Sequence, residues 1–311
     1  MKETLQQQTV QLLKTLAPQE GYNLTALPDV RILRSDRPLA RTPVLYDPGI
    51  VIVCQGSKRG FFGDQVYLYD EQHYLAVAVP VPFTMESAAS AENPLLAIYL
   101  HLDFSVATGL LLQLEQQDVA FESQAAQSMM SSPMDGAVKM AVLRLLEVLA
   151  NPLEAAILGP ARVRELYFRV LTGAQGNAMR AALALQGQFG KIGKALQRIH
   201  ATYAEPLTLT QLAMETGMSV PTFHHHFKAI TRMPPMQYVK SIRLHQARML
   251  MVRQQITAAA ASYAVGYESP SQFNREFKRL FGLPPAEEIK RMQRHFVVPP
   301  PQPASVFISS H

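Results

Sequence analysis

Two stretches of the chain carry side chains of the kind that read nucleic-acid edges, at matching places in a repeated segment. Setting Phe223 against Phe273 aligns Ser219-Val-Pro-Thr-Phe-His-His-His-Phe-Lys228 with Ser269-Pro-Ser-Gln-Phe-Asn-Arg-Glu-Phe-Lys278, an offset of 50 residues. Each pair of phenylalanines is spaced i, i+4 and faces inward, so the positions between them face out. In the first copy these are Pro221, Thr222, His224, His225 and Lys228, behind Ser219; in the second they are Ser271, Gln272, Asn274, Arg275, Lys278 and Arg279, behind Ser269. Arg suits guanine, Asn and Gln suit adenine, and Ser, Thr and Lys suit base edges or phosphates. Any amphipathic helix shows a polar face, but two copies on a basic background favour DNA recognition.

Other chemistry finds little support. The chain has no Gly-rich phosphate loop, no HExxH, no Gly-x-Ser-x-Gly and no second cysteine beside Cys54, so no catalytic residue and no cofactor are assigned. His224, His225 and His226 are consecutive, and side chains about 100° apart on a helix cannot converge on one metal ion. Cys54 follows Ile50-Val-Ile-Val, which reads as a buried strand, and there an inert thiol rather than a sensor is expected.

The elements that must position the reading residues have one grammar. In the first copy Leu209, Leu212 and Ala213 make a short helical stripe, Gly217 turns the chain, and Ser219 caps the next helix; the second runs from Ala258 to Val265, turns at Gly266 and is capped by Ser269. Pro221 and Pro270 fall in the first helical turn, where a missing N–H is harmless. Helix, glycine turn and helix make a helix-turn-helix, whose second helix fits the major groove. Between the copies, Met236 to about Gln255 reads as one helix of roughly 27 to 30 Å. That is close to the ~34 Å between major-groove segments on one DNA face, so one chain could set both reading helices a turn apart.

These residues resemble the AraC/XylS family of bacterial transcription regulators. The likeness is carried by Pro206-Leu-Thr-Leu-Thr-Gln-Leu-Ala213, Gly217-Met-Ser219, Phe227-Lys228, Arg243-Leu244, Ala247-Arg248, Gly266-Tyr-Glu-Ser-Pro-Ser-Gln-Phe273, Phe277-Lys278, Phe281-Gly282 and Pro284. The resemblance implies two helix-turn-helix subdomains on asymmetric promoter DNA and contact with RNA polymerase. Arg232 stands where the family usually carries Gly, and Pro234-Pro235 stand where it carries Ser-Pro.

The N-terminal half has a different character. Val44-Leu-Tyr46, Ile50-Val-Ile-Val-Cys54, Phe61-Phe62, Gln65-Val-Tyr-Leu-Tyr69 and Tyr74-Leu-Ala-Val-Ala-Val79 alternate with turn formers at Asp47-Pro-Gly49, Gln55-Gly56, Gly63-Asp64 and Pro80, which predicts an antiparallel barrel or sandwich. Asp47-Pro-Gly-Ile-Val-Ile-Val-Cys-Gln-Gly56, Lys58-Arg59, Gly63-Asp64, Tyr69-Asp70, Tyr74-Leu75 and Leu102-Asp103 are similar to the N-terminal domain of a subgroup of AraC-type regulators. That likeness implies a cupin-like barrel that binds a small effector and takes part in a homodimer. His73 and His101 stand 28 residues apart, without the His-x-His of a metal cupin, so no metal is expected. Tyr67, Tyr69, Tyr74, Tyr99 and His101 are the effector-contact candidates, each with ordinary core packing as the plainer reading.

The predicted fold class is therefore α+β in two domains: a cupin-like β-barrel with flanking helices, then an all-α double helix-turn-helix. The expected boundaries are an effector and dimerisation domain over 1–180, with the barrel at about 21–103 and helices at about 104–172. A linker over 181–190 follows, then a DNA-binding domain over 191–296 with units at about 207–230 and 256–280, and a disordered tail over 297–311. Helices are expected over Thr4–Leu16, Val106–Gln117, Asp135–Ala150 and Ala161–Leu171, with Pro133, Pro152, Pro160 and Gly173 as breaks and 173–190 as a hinge. The stripe Val138, Ala141, Val142, Leu145, Leu146 and Leu149 reads as core, with a subunit interface expected among these helices. Charge follows the same division. Met1–Lys191 holds 15 Lys+Arg and 18 Asp+Glu, and Ile192–His311 holds 14 and 6, so the second part alone is strongly basic within a net +5. One cysteine, no signal-like start and no long apolar run fit a cytoplasmic protein that is not membrane-bound.

Overall fold

The computed structural model describes residues 4–117, 125–183 and 187–295 of the 311. The chain divides into two compact units. The first comprises the residues up to Arg41, Pro48–Ala78 and Met85–Ala184; the second comprises Thr42–Asp47, Val79–Thr84 and the chain from Leu185 onward.

In the first unit α1 (Leu5–Leu16) begins with a capping box in which Thr4 and Gln7 exchange hydrogen bonds. The strands are β1 (Gly21–Leu24), β2 (Val30–Ser35), β3 (Leu39–Tyr46), β4 (Gly49–Gln55), β5 (Ser57–Phe62), β6 (Gln65–Asp70), β7 (His73–Val77), β8 (Val81–Ala88), β9 (Leu95–His101) and β10 (Met129–Pro133). They form one sheet in the order β1-β2-β9-β4-β7-β6-β5-β8-β3, with β10 on β7, and the register pairs between them are antiparallel. The Gly63-Asp64 turn joins β5 to β6 as a two-residue hairpin with Gly63 at φ 61°. Of the second unit's residues, 42–46 belong to β3 and 81–84 to β8.

The unit's helices are α2 (Phe104–Glu115), α3 (Gly136–Leu149), α4 (Pro152–Thr172) and α5 (Gly176–Leu183). The stripe from Val138 to Leu149 is buried in full and is core. Two expectations need correction. Pro160 does not break a helix: α4 starts at Pro152 behind the Asn151 cap and carries Pro160 inside it. Pro160 is exposed, so water can reach the carbonyl that lacks its helical donor, while Ala155, Gly159 and Leu166 fix the buried face. The hinge expected over 173–190 contains α5, an eight-residue helix that buries Ala178, Met179, Ala182 and Leu183.

The second unit is helical apart from its two strand stretches: α6 (Gly187–Thr202), α7 (Leu209–Glu215), α8 (Val220–Thr231), α9 (Pro235–Gln254), α10 (Ala258–Ala264), α11 (Pro270–Phe281) and α12 (Pro285–His295). α6 begins four residues ahead of the expected Lys191. At 20 residues α9 is about 30 Å long. The proline-rich stretch from 297 lies outside the described residues. Among the described residues no helix is long and apolar enough to cross a membrane.

Candidate nucleic-acid interface and barrel interior

The repeat in sequence is a repeat in burial. From 221 to 230 and again from 271 to 280 the order of buried, half-buried and exposed residues is the same. Phe223 and Phe227 on α8, and Phe273 and Phe277 on α11, are fully buried, with ring centres 5.4 Å and 5.5 Å apart. Pro221, Thr222, His224, His225 and Lys228 are exposed, as are Ser271, Gln272, Asn274, Arg275, Lys278 and Arg279. Each reading helix therefore presents one polar face. Ser219 and Ser269 sit at its start and accept from the Thr222 and Gln272 amides at 3.4 Å and 3.3 Å.

The turns keep the same register. Gly217 and Gly266 adopt φ 64° and 83° between the paired helices. After the reading helices, Gly282 takes φ 82° and Arg232 takes φ 56°. The departure from glycine at 232 leaves the left-handed turn in place, held by a residue with a Cβ.

α9 is tied to both copies by one side chain. The Arg243 guanidinium donates to the Tyr203 and Glu205 carbonyls, at the entry to the first copy, at 2.7 Å and 2.9 Å, and to the Gly266 carbonyl, in the turn of the second, at 2.9 Å. A second network stands behind α11. The Glu276 carboxylate accepts from Lys240 Nζ at 3.0 Å, Tyr267 Oη at 2.8 Å and Gln272 Nε2 at 3.2 Å. Burial pushes its pKa up, but those three donors outweigh burial and leave it below the ordinary value. The charged carboxylate thus orients Gln272 on the reading face.

In the first unit the effector candidates fall on different faces of the sheet. Cross-strand partners share a face, so Tyr99 lies with Arg31 and Val51, and Tyr74 lies with Ile52 on the opposite face. Lys58 on β5 reaches Tyr99 on β9, four strands away in the sheet order, so the Tyr99 face is the concave one. Tyr69, the register partner of Lys58, is buried. Tyr74 instead lies on the side from which α4 approaches, close to Gly173. Tyr67 is half-buried and donates to Gln65. His101 is half-buried at the end of β9, its pKa lowered chiefly by burial. The structure brings Tyr99 to Lys58, the register partner of Tyr69, and leaves Tyr74 on the opposite face of the sheet from Tyr99. Cys54 is buried under α1, where Gln6 donates to its carbonyl at 2.5 Å; burial pushes the thiol up to about 12, as an inert thiol requires. Among the described residues no three His, Cys, Asp or Glu side chains are grouped to hold a metal ion.

Comparison with known proteins matches two family models to the chain. Residues 26–178 match the AraC-type transcriptional regulator N-terminus, and residues 212–291 match a helix-turn-helix domain. The chain belongs to the AraC-type transcriptional regulators. AlkR, a regulator of Acinetobacter baylyi, is 33% identical over 95 residues, 30% of this chain and 31% of AlkR. The thermoregulatory protein LcrF of Yersinia pestis is 24% identical over 133 residues, 42% of this chain and 48% of LcrF. The chain thus spans less than half the length of these curated relatives. ToxT of Vibrio cholerae shares the two-domain fold: an apo variant aligns with TM-score 0.58 at 9% identity, covering 88% of this chain and 99% of ToxT. Its form with an unsaturated fatty acid bound aligns with TM-score 0.57 at 12% identity, covering 84% and 93%.

Within this AraC-type chain, sequence reading missed the supports rather than the surface. Glu276 sits among the outward residues by spacing, yet it is half-buried and holds Lys240, 36 residues away. Lys58 enters the sequence reading only as part of the N-terminal likeness, although its alternation with Gly60 and Phe62 on β5 marks it as an inward residue.

Proposed function

We propose that this protein is a sequence-specific DNA-binding transcription regulator that reads promoter DNA in two successive major-groove segments. The observation that carries the reading is the doubled burial pattern of α8 and α11, which twice sets Phe anchors inward and DNA-reading residue types outward. The reading domain is assigned to 191–296, with units at about 207–230 and 256–280. Its contacts are assigned to the exposed residues of α8 and α11, with Ser219 and Ser269 at their capped starts, where helix N-termini favour phosphate. Residues 1–180 are assigned to effector binding and a homodimer contact, with 181–190 as the linker, RNA polymerase as a further partner and the cytoplasm as the compartment. The barrel's concave face is the place for the effector, in keeping with a ligand-bound neighbour of the same fold. The effector acts by binding one DNA-competent arrangement better than another. No catalytic step is assigned.

The test is selection of fragmented host DNA by the full-length protein, followed by sequencing of what is retained. A shared asymmetric motif of about two helical turns supports the reading; diffuse, salt-sensitive retention without a motif sinks it. Arg275→Ala is expected to relax base preference in one half of the motif, costing about 1 to 3 kcal/mol. Lys278→Ala is expected to weaken all sequences alike and flatten the salt dependence.

A further inference from the structure

One carboxylate touches the reading face of the second copy and has no equivalent in the first. Glu276 Oε1 accepts from Gln272 Nε2 at 3.2 Å and from Lys240 Nζ at 3.0 Å, while its Oε2 accepts from Tyr267 Oη at 2.8 Å. Lys240 comes from α9 and Tyr267 from the turn before α11, so both oxygens are held from behind the reading helix. The Glu276 side chain is 14% exposed, whereas Gln272 is exposed on the face itself. Fifty residues earlier, Thr222 and His226 stand at these two places. The first copy has neither the amide nor the carboxylate.

Charge decides which end of the amide faces the groove. A glutamine amide keeps nearly the same shape when its N and O trade places, so packing alone does not orient it. An ionised carboxylate only accepts, and it therefore takes the NH2 end. Burial alone would raise the Glu276 pKa; the Lys240, Tyr267 and Gln272 donors bring it below the ordinary value, so it stays ionised. One Gln272 N–H is thus taken up by Glu276, and the other lies beside Oε1, leaving a donor and an acceptor side by side for the groove. Adenine offers the matching pair, an N7 acceptor and an N6 donor. Guanine offers two acceptors, N7 and O6, and would set O6 against Oε1. We propose that Glu276 is a positioning residue that makes the second copy prefer adenine over guanine at the base Gln272 reaches. This rests on the DNA reading above and adds one letter of the operator, together with the group that sets it.

The test repeats the DNA selection with full-length Gln272→Ala, Glu276→Gln and the double variant, and reads the base frequencies of the motif. Gln272→Ala is expected to erase the preference at one position in one half of the motif, a position that is adenine in the wild type. Glu276→Gln can meet the amide with either N–H or C=O, and it is expected to lower the adenine-over-guanine ratio there about tenfold. The other half of the motif and the salt dependence of binding stay as they were. In the Gln272→Ala background, Glu276→Gln changes nothing further, because it acts through Gln272. Tyr267→Phe, which removes one donor and keeps the ring, is the second variant should Glu276→Gln not fold; a smaller shift at the same position is expected. Guanine or no preference at the Gln272 position overturns the proposal, as does a preference indifferent to both variants. So does a loss from Glu276→Gln that is equal for all sequences, or a shift that persists without Gln272. A selection that yields no motif overturns the DNA reading and this proposal together, whereas a motif that ignores Glu276 overturns the proposal alone.

Discussion

Tyr238 and Glu288 stand 50 residues apart at the same place in the two helix-turn-helix copies, each the fourth residue of the helix after the reading helix, and each is 0% exposed. Their chemistry differs. The Tyr238 hydroxyl donates to the Pro80 carbonyl at 2.8 Å and lies 2.6 Å from His200 Nε2, with its ring edge-on to Phe227. Glu288 holds Arg248 at 3.2 Å and Arg291 at 2.8 Å, and Arg248 continues to the Pro43 carbonyl at 3.1 Å beneath Phe281. Both networks end on a proline carbonyl of the second unit, Pro43 in β3 and Pro80 just before β8. One is neutral and the other ionic, so one plug position tolerates either chemistry. Their failures should differ, because a buried ion pair that loses a partner strands a charge.

The largest expected effect tests that difference. Glu288→Ala should cost about 3 to 5 kcal/mol in chemical denaturation. Tyr238→Phe should cost about 1 to 3, the desolvation of the groups left unmet. Equal costs would dissolve the contrast. The turns give a second contrast. A Cβ on Gly266 would stand 2.3 Å from the Ala204 carbonyl oxygen, whereas one on Gly217 meets nothing within 4 Å, and both glycines have positive φ. Gly217→Ala should therefore cost about 1 to 2 kcal/mol for the left-handed backbone alone. Gly266→Ala should exceed it by the further 1 to 3 of overpacking, roughly; matching melting temperatures would refute this.

Acid should reach the neutral plug through its histidine. Burial lowers His200 from 6.5 to about 3. The unfolded chain takes up the proton below 6.5 and the folded protein only near 3, so stability is full above 6.5 and falls with pH between those values. The slope should be about 1.4 kcal/mol per unit for this group. His245, also lowered by burial, adds a slope of the same sign. A His200→Gln variant that keeps the whole acid slope would remove His200 from the account. The smallest expected effect is a gain. Arg232→Gly, at φ 56°, should stabilise by up to about 1 kcal/mol, making the first copy's turn like that of Gly282. A loss would show that Arg232 makes contacts worth more than its backbone strain.

The repeat was legible in the sequence because its parts are local. A phenylalanine pair at i, i+4, a capping serine and a turn glycine each declare themselves within four residues. What brings distant residues together was not. Glu276 depends on Lys240 and on Tyr267, and Glu288 on Arg248, and no spacing rule places a carboxylate opposite an arginine 40 residues before it. In the first unit, short apolar runs announced β3 to β7, while β1, β2, β8, β9 and β10 went unnamed. The face on which Tyr74 and Tyr99 diverge follows from register, which pairing rather than composition sets. Pro160 shows the limit of punctuation: a proline ends a helix only if packing elsewhere does not hold it.

Arg243 makes a geometric standard of α9. By gripping the carbonyls at the entry to one copy and in the turn of the other, it fixes how far apart, and at what rotation, the two reading faces stand. Under the proposed reading of DNA, that standard would set which operator spacing the chain accepts, through one guanidinium that lies outside both proposed reading faces.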